Sequence, residues 1–204
     1  MAIITKISTQ AKNIDRCNLY LDGTFYAGVS KFVILQNHIK ENQEIDEENL
    51  NKLIFESDKD QAFNWAVDYV CKYLPVEKQL RKKLYDKGYS KQIVAYVIEK
   101  CKSYGYIDDY QFALSYVDQN KFIKGKLKIK AELIQKGINE DNIDKALDNY
   151  EENDGCLILA RKKAKNMDLE DPKKLASLMR FLQYRGYNYE EINRAISSLK
   201  DNYD

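Results

Sequence analysis

Three glycines fix the frame of this chain. The segments "LYDKGY" at 84–89, "LIQKGI" at 133–138 and "LQYRGY" at 182–187 place Gly88, Gly137 and Gly186 each 49 residues from the next. The 204-residue chain has only eight glycines, so this regularity marks an internal repeat rather than scattered turns. Three such periods, starting near residue 58, fill the remaining chain. A unit of this length is one supersecondary motif that buries its apolar face against itself and its neighbours.

Aligning the units on their glycines shows what recurs. Eight residues before stand Leu80, Ile129 and Leu178, and four before stand Leu84, Leu133 and Leu182. At 3.6 residues per turn these share one helix face. The glycine then supplies the left-handed residue that ends a helix without a Cβ penalty. Tyr89, Ile138 or Tyr187 follows and folds back over the helix end. Ser90, Asn139 and Asn188 come next as N-caps of a new helix, and Asn188 with Glu191 has the spacing of a capping box. Val94, Ile143 and Ile192, with the pairs Val97-Ile98, Ala146-Leu147 and Ala195-Ile196, give that helix its buried stripe. A further helix precedes each pair, at about 59–74, 108–122 and 154–166, and Asp171-Pro172 starts the middle helix of the last unit. Each unit is therefore three helices. The domains expected are 1–57, 58–106, 107–155 and 156–204.

The first 57 residues follow another pattern. "IITKIST" alternates and is rich in β-branched residues, and "CNLYLDGTFYAGV" sets two strand-like runs around Asp22-Gly23, a hairpin turn. Residues 2–29 are expected to form a small antiparallel sheet of about three strands. "SKFVILQNHI" at 30–39 reads as a short helix capped by Ser30, and "DEENLNKLIFES" at 46–57 as another capped by Asp46. The fold class is mainly α: three tandem three-helix repeats in an elongated curved array, preceded by a small β-hairpin-containing domain. Two prolines and abundant charged helix formers agree with it.

Catalytic and metal chemistry find little to work with. The single histidine, His38, falls in the expected short helix and reads as structural. Cys17, Cys71, Cys101 and Cys156 form no CxxC pair and no zinc spacing, and read as reduced, buried thiols of a cytosolic protein. No phosphate-binding GxxxxGK[ST] or GxGxxG turn occurs. Asp108-Asp109 and Glu47-Glu48 are neighbours in sequence, about 100° apart on a helix, so neither makes a paired-carboxylate site; Asp108 reads as the cap of a helix beginning at Asp109. No apolar run reaches membrane-span length, and "MAIITKISTQ" has no secretory signal pattern. We therefore expect a cytoplasmic protein with no catalytic residue, no metal, no cofactor, no membrane and no small-molecule substrate. Trp65 and most tyrosines read as core or rim.

The basic residues divide by whether they obey the period. Lys87, Lys136 and Arg185 each precede a repeat glycine, where a cation offsets the negative helix end. "NKFIKGKLKIK" at 120–130 is different. Lys126 and Lys128 align with Glu77 and Gln79 in the first unit and with Leu175 and Ser177 in the third, so the fold does not require them. One account is a solvated face on which Lys128 pairs with Glu132. The other is a basic patch for phosphates or an acidic protein surface. "ARKKAK" at 160–165, with Lys173, Lys174 and Arg180, forms a second basic cluster open to the same two accounts. A net charge of +1 means that any polyanion contact must be local.

"GYIDDYQFALSYV" at 105–117 and "GKLKIKAELIQKGI" at 125–138 resemble the RecX family of recombination regulators, as do "ARKKA" and "LMRFLQYRGYNYEEI" in the last unit. The resemblance covers roughly 58–204, and the first part resembles the N-terminal extension of longer members. The chain departs at "LPVEKQLRKKL", where Pro75 and Val76 open the second helix of the first unit, and in using lysine where many members use arginine, which gives charge without a bidentate fork. The resemblance implies a partner rather than a substrate: the RecA recombinase filament on single-stranded DNA, whose ATPase and strand exchange the family usually inhibits in recombination, DNA repair and the SOS response. It directs attention to Lys121, Lys124, Lys126, Lys128 and Lys130 as contact residues, with Arg161, Lys162 and Arg180 beside them. The competing reading is a module that binds DNA directly through these cations, without a recombinase. An enzyme with an unrecognised site is a third.

Overall fold

The computed structural model describes residues 1–11, 13–148, 150 and 154–201. These residues fall into two compact units, Met1–Asp108 and Asp109–Asp204.

The first unit begins with β1 (Ala2–Gln10), β2 (Asn13–Leu21) and β3 (Thr24–Ser30). Both central residues of the β2–β3 turn, Asp22 and Gly23, have positive φ, as a two-residue turn matching strand twist requires. Helix α1 (Lys31–Gln36) follows, and the Ser30 side chain accepts from the Phe32 amide as expected. The helix stops before His38, which takes φ 52° in the turn beyond it rather than a helical conformation. A short fourth strand, β4 (Glu44–Ile45), pairs with the start of β1 and gives the antiparallel order β3-β2-β1-β4. Two residues carry too little alternation to announce a strand.

The helices expected at 46–57 and about 59–74 are one helix, α2 (Glu47–Tyr73), capped by Asp46. Its buried positions are Leu50, Ile54, Asp58, Ala62, Ala66 and Val70, a stripe with steps of four. The stripe passes residue 58 without a break, because nothing there interrupts helical hydrogen bonding. α3 (Glu77–Asp86) and α4 (Lys91–Ser103) complete the first repeat. Ile4, Leu19 and Val29 of the sheet share one core with this stripe and with Leu80, Leu84, Ile93, Val94, Val97 and Ile98.

The second unit holds α5 (Asp109–Asn120), α6 (Lys126–Lys136) and α7 (Glu140–Asp148), then α8 (Gly155–Ala164), α9 (Pro172–Tyr184) and α10 (Tyr189–Lys200). Asp171 caps α9 with Pro172 in its first turn, and Asn188 with Glu191 forms a complete capping box on α10. Ile129, Leu133, Ile143 and Leu147 are buried in the middle repeat, and Leu178, Leu182, Ile192 and Leu199 in the last.

The three glycine corners share one hydrogen-bond pattern. The amides of Gly88, Gly137 and Gly186 donate to the carbonyls of Tyr85, Ile134 and Gln183. Those of Tyr89, Ile138 and Tyr187 donate to Leu84, Leu133 and Leu182. These are paired 5→2 and 6→1 bonds of the Schellman type, and they require the positive φ of 83°, 95° and 88° found at the glycines. The leucines are fully buried, each worth about 1.5–3 kcal/mol of burial, and the residue after each glycine is buried with them. The cations before the glycines are structural too. Lys87 lies over Trp65, Lys136 over Phe112 and Tyr116, and Arg185 over Phe181, at 4.6–5.7 Å. Trp65 is half-buried, packed against the core.

Candidate partner-binding surface

Among the described residues no group of His, Cys, Asp and Glu could hold a metal ion, and no helix is long and apolar enough to cross a membrane. All four cysteines are free; Cys17, Cys101 and Cys156 are buried as expected, but Cys71 is exposed on α2. Burial pushes the Cys101 thiol up to about 11 and the Cys156 thiol up to about 12, so neither is poised as a nucleophile.

The basic segment of the middle repeat separates into bound and free cations. Lys124 donates to Glu132 at 2.7 Å and to the Tyr116 hydroxyl at 3.1 Å, and that hydroxyl donates to the same carboxylate at 2.6 Å. Lys124 thus ties the α5–α6 loop to both helices. Burial works against ionisation of Glu132, but the hydrogen bonds from Lys124 and Tyr116 outweigh it and hold the carboxyl below its usual range. The Glu132 ion pair therefore forms with Lys124, where the sequence suggested Lys128. Lys121 pairs with Asp118 and Lys130 with Asp144. Lys126 is exposed and makes no ion pair among the described residues.

Lys128 instead reaches the next repeat. Its ammonium lies 4.8 Å from the centre of the Tyr184 ring on α9. The backbones explain why. The Gly125 amide donates to the Arg185 carbonyl at 2.9 Å, and the Leu127 amide to Gly186 at 3.3 Å. A Cβ on Gly125 would collide with the main chain at Gly186 and Tyr187, and one on Gly186 would collide with Lys128. Glycine on both sides lets the start of α6 rest on the last glycine corner. Tyr184 is one helical turn from Arg180, which is exposed, so Lys128, Tyr184 and Arg180 form one continuous surface across two repeats. Arg161 and Lys162 stand exposed on α8, without ion pairs among the described residues. Their neighbour Lys163 reaches the ring of Phe181, the residue after Arg180.

The first unit holds a buried ion pair that no sequence motif announces. Arg16 and Asp58, 4% and 0% exposed, approach to 2.7 Å. Arg16 also donates to the carbonyls of Gly28 at 2.7 Å and Gly88 at 3.3 Å, and its guanidinium covers the Tyr89 ring at 4.6 Å. The pair therefore links the sheet to the first glycine corner. Burial raises the Asp58 carboxyl above its usual range, and Arg16 offsets this only in part. An acid within a four-step apolar stripe was the available signal.

Fold and surface together define a helical-repeat protein with a small N-terminal sheet domain and exposed cations around the junction of its last two repeats. Family models agree part by part: the "Regulatory protein RecX N-terminal domain" matches residues 2–46, the "RecX, second three-helix domain" 108–147, and the "RecX, third three-helix domain" 151–196. A "Regulatory protein RecX" of Clostridioides difficile (strain 630) is 33% identical, covering 100% of both chains. One of Bacillus subtilis (strain 168) is 29% identical over 98% of this chain and 78% of its own. Among solved structures, "Crystal structure of regulatory protein RecX" matches at TM-score 0.62 and 27% identity, covering 95% of this chain and 100% of that one. RecX from Lactobacillus salivarius matches at TM-score 0.66 and 25% identity, over 71% and 98%. The chain belongs to the RecX family, and its role is regulatory.

Proposed function

We propose that this protein acts in the cytoplasm by binding the RecA recombinase filament on single-stranded DNA and lowering its ATPase and strand exchange, with no catalysis of its own. Residues 58–106, 107–155 and 156–204 are its repeat units and 1–57 its extension. The reading rests on the full-length likeness to proteins named regulatory protein RecX. The observation that gives it a surface is Lys128 on Tyr184, which joins α6 to the Arg180 face of α9.

Lys126, Lys128, Arg180, Arg161 and Lys162 are the contact residues. Lys121, Lys124 and Lys130 spend their charge on Asp118, Glu132 and Asp144 and act chiefly by shaping the segment. The test is co-sedimentation with cognate RecA filaments on single-stranded DNA. Lys126→Ala with Arg180→Ala should weaken binding while leaving the fold intact. Wild-type protein that stays in the supernatant would end this reading. Equally strong, salt-steep binding to DNA alone would replace it with the direct DNA-binding module.

A further inference from the structure

A glycine corner is only half satisfied by its own helix. The last carbonyls of the helix point outward and carry the negative end of its dipole, so something must bring donors to them. At Gly186 the donors come from the preceding repeat. The start of α6 has no side-chain cap, and its Gly125 and Leu127 amides donate to the carbonyls of Arg185 and Gly186. The end of α9 and the start of α6 thus cap each other, negative dipole end against positive.

At Gly88 the sheet stands in that place. A Cβ on Gly28 of β3 would lie 2.6 Å from the Gly88 carbonyl oxygen, so strand and corner meet backbone to backbone, as Gly125 and Gly186 do. The Gln10 side chain, held by donating to Asn18 at 2.8 Å, rests against Gly88 where Lys128 rests against Gly186. Strand amides point sideways to neighbouring strands, not out of the strand's end. Arg16 supplies the donors instead. One guanidinium nitrogen donates to Gly28 at 2.7 Å and to Gly88 at 3.3 Å, and the cation offsets the helix dipole. Asp58 then neutralises the charge that the corner has drawn into the core, which gives the buried pair a purpose.

We infer that the N-terminal sheet is the end cap of the repeat array. It closes the first glycine corner as a helix start closes the last one, with Arg16 in the part of the helix amides. A repeat array needs such a cap because its terminal unit otherwise leaves one face bare. The cap is needed whether or not the protein binds a filament. Sheet and corner should therefore open together, and the corner should open more readily when Arg16 is withdrawn or Gly28 is enlarged.

Amide hydrogen exchange of the full chain, read by mass spectrometry, tests this. The measured quantity is exchange at the corner, 84–90, relative to 93–101 within α4. Wild type is compared with Gly28→Ala, with Arg16→Met plus Asp58→Leu, and with two controls. Ile54→Val trims a buried residue of the same core without touching the corner contacts, and Lys6→Ala removes the cation over Tyr20. We expect the ratio to rise about tenfold in Gly28→Ala and in the double variant, the scale of one buried hydrogen bond left unmade. Exchange at 17–30 should rise with it, while both controls keep the wild-type ratio and the last corner, 182–188, keeps its protection in every variant. If Gly28→Ala melts early, the double variant carries the test, because it removes both buried charges together. An unchanged ratio in both variants would overturn the inference. So would a wild-type sheet whose 17–30 amides exchange about tenfold sooner than the corner, as an independently opening domain does.

Discussion

Gly125 and Gly186 meet backbone to backbone, and neither position has room for a Cβ. Gly125→Ala should therefore destabilise the second unit by about 1–3 kcal/mol through overpacking. Lys128→Ala, which removes only the cation over Tyr184, should cost less than about 1 kcal/mol. Denaturant unfolding checks both, and equal effects would mean that the backbone approach is not what holds α6 to the corner.

Arg16 and Asp58 make the opposite kind of junction, charged and buried. Removing one partner leaves a buried charge alone, so Arg16→Met or Asp58→Leu should each cost about 3–5 kcal/mol. The double substitution should recover most of that loss, because it removes both desolvation costs. Thermal melts of the four proteins test this. A double variant as unstable as the sum of the singles would contradict it.

Glu132 gives a pH signature. Its folded carboxyl titrates below its usual range, so its contribution is present above the unfolded value of about 4.3 and is lost as pH falls through the folded one. Glu132→Gln should cost about 1 kcal/mol near neutral pH. The gap from wild type should close in acid, below about pH 4. A gap constant from neutral pH into acid would refute the assignment.

Leu74→Gly should raise stability by up to about 1 kcal/mol at most, since it relieves the left-handed strain but frees the unfolded chain. Urea unfolding is the check. A loss above about 1 kcal/mol would mean that Leu74 is held by packing after all.

The repeat was legible because its marker is local: a leucine four residues before a glycine, and a cap two residues after it, are demanded by one turn's geometry. Helices, caps and buried stripes in each unit followed from that. The continuity of α2 was not legible, because Asp46 and Ser57 both resemble helix-boundary residues and only the four-step stripe from Leu50 to Val70 shows that nothing stops between them. β4 escaped because its two residues depend on pairing with β1 alone. The surface was half legible. The period separated Lys126 and Lys128 from the structural cations, yet the pairing of Lys124 with Glu132 depends on where the α5–α6 loop turns back. The same holds for Lys128 and Tyr184, which are far apart in sequence and meet only because Gly125 can touch Gly186.

The deciding measurement is the ATPase of cognate RecA on single-stranded DNA as this protein is added. Turnover should fall at substoichiometric amounts and saturate. Lys126→Ala with Arg180→Ala should shift the titration to higher concentration without changing the melting temperature. ATPase, filament assembly and strand exchange that all continue unchanged at excess wild-type protein would rule out the proposed inhibition of RecA.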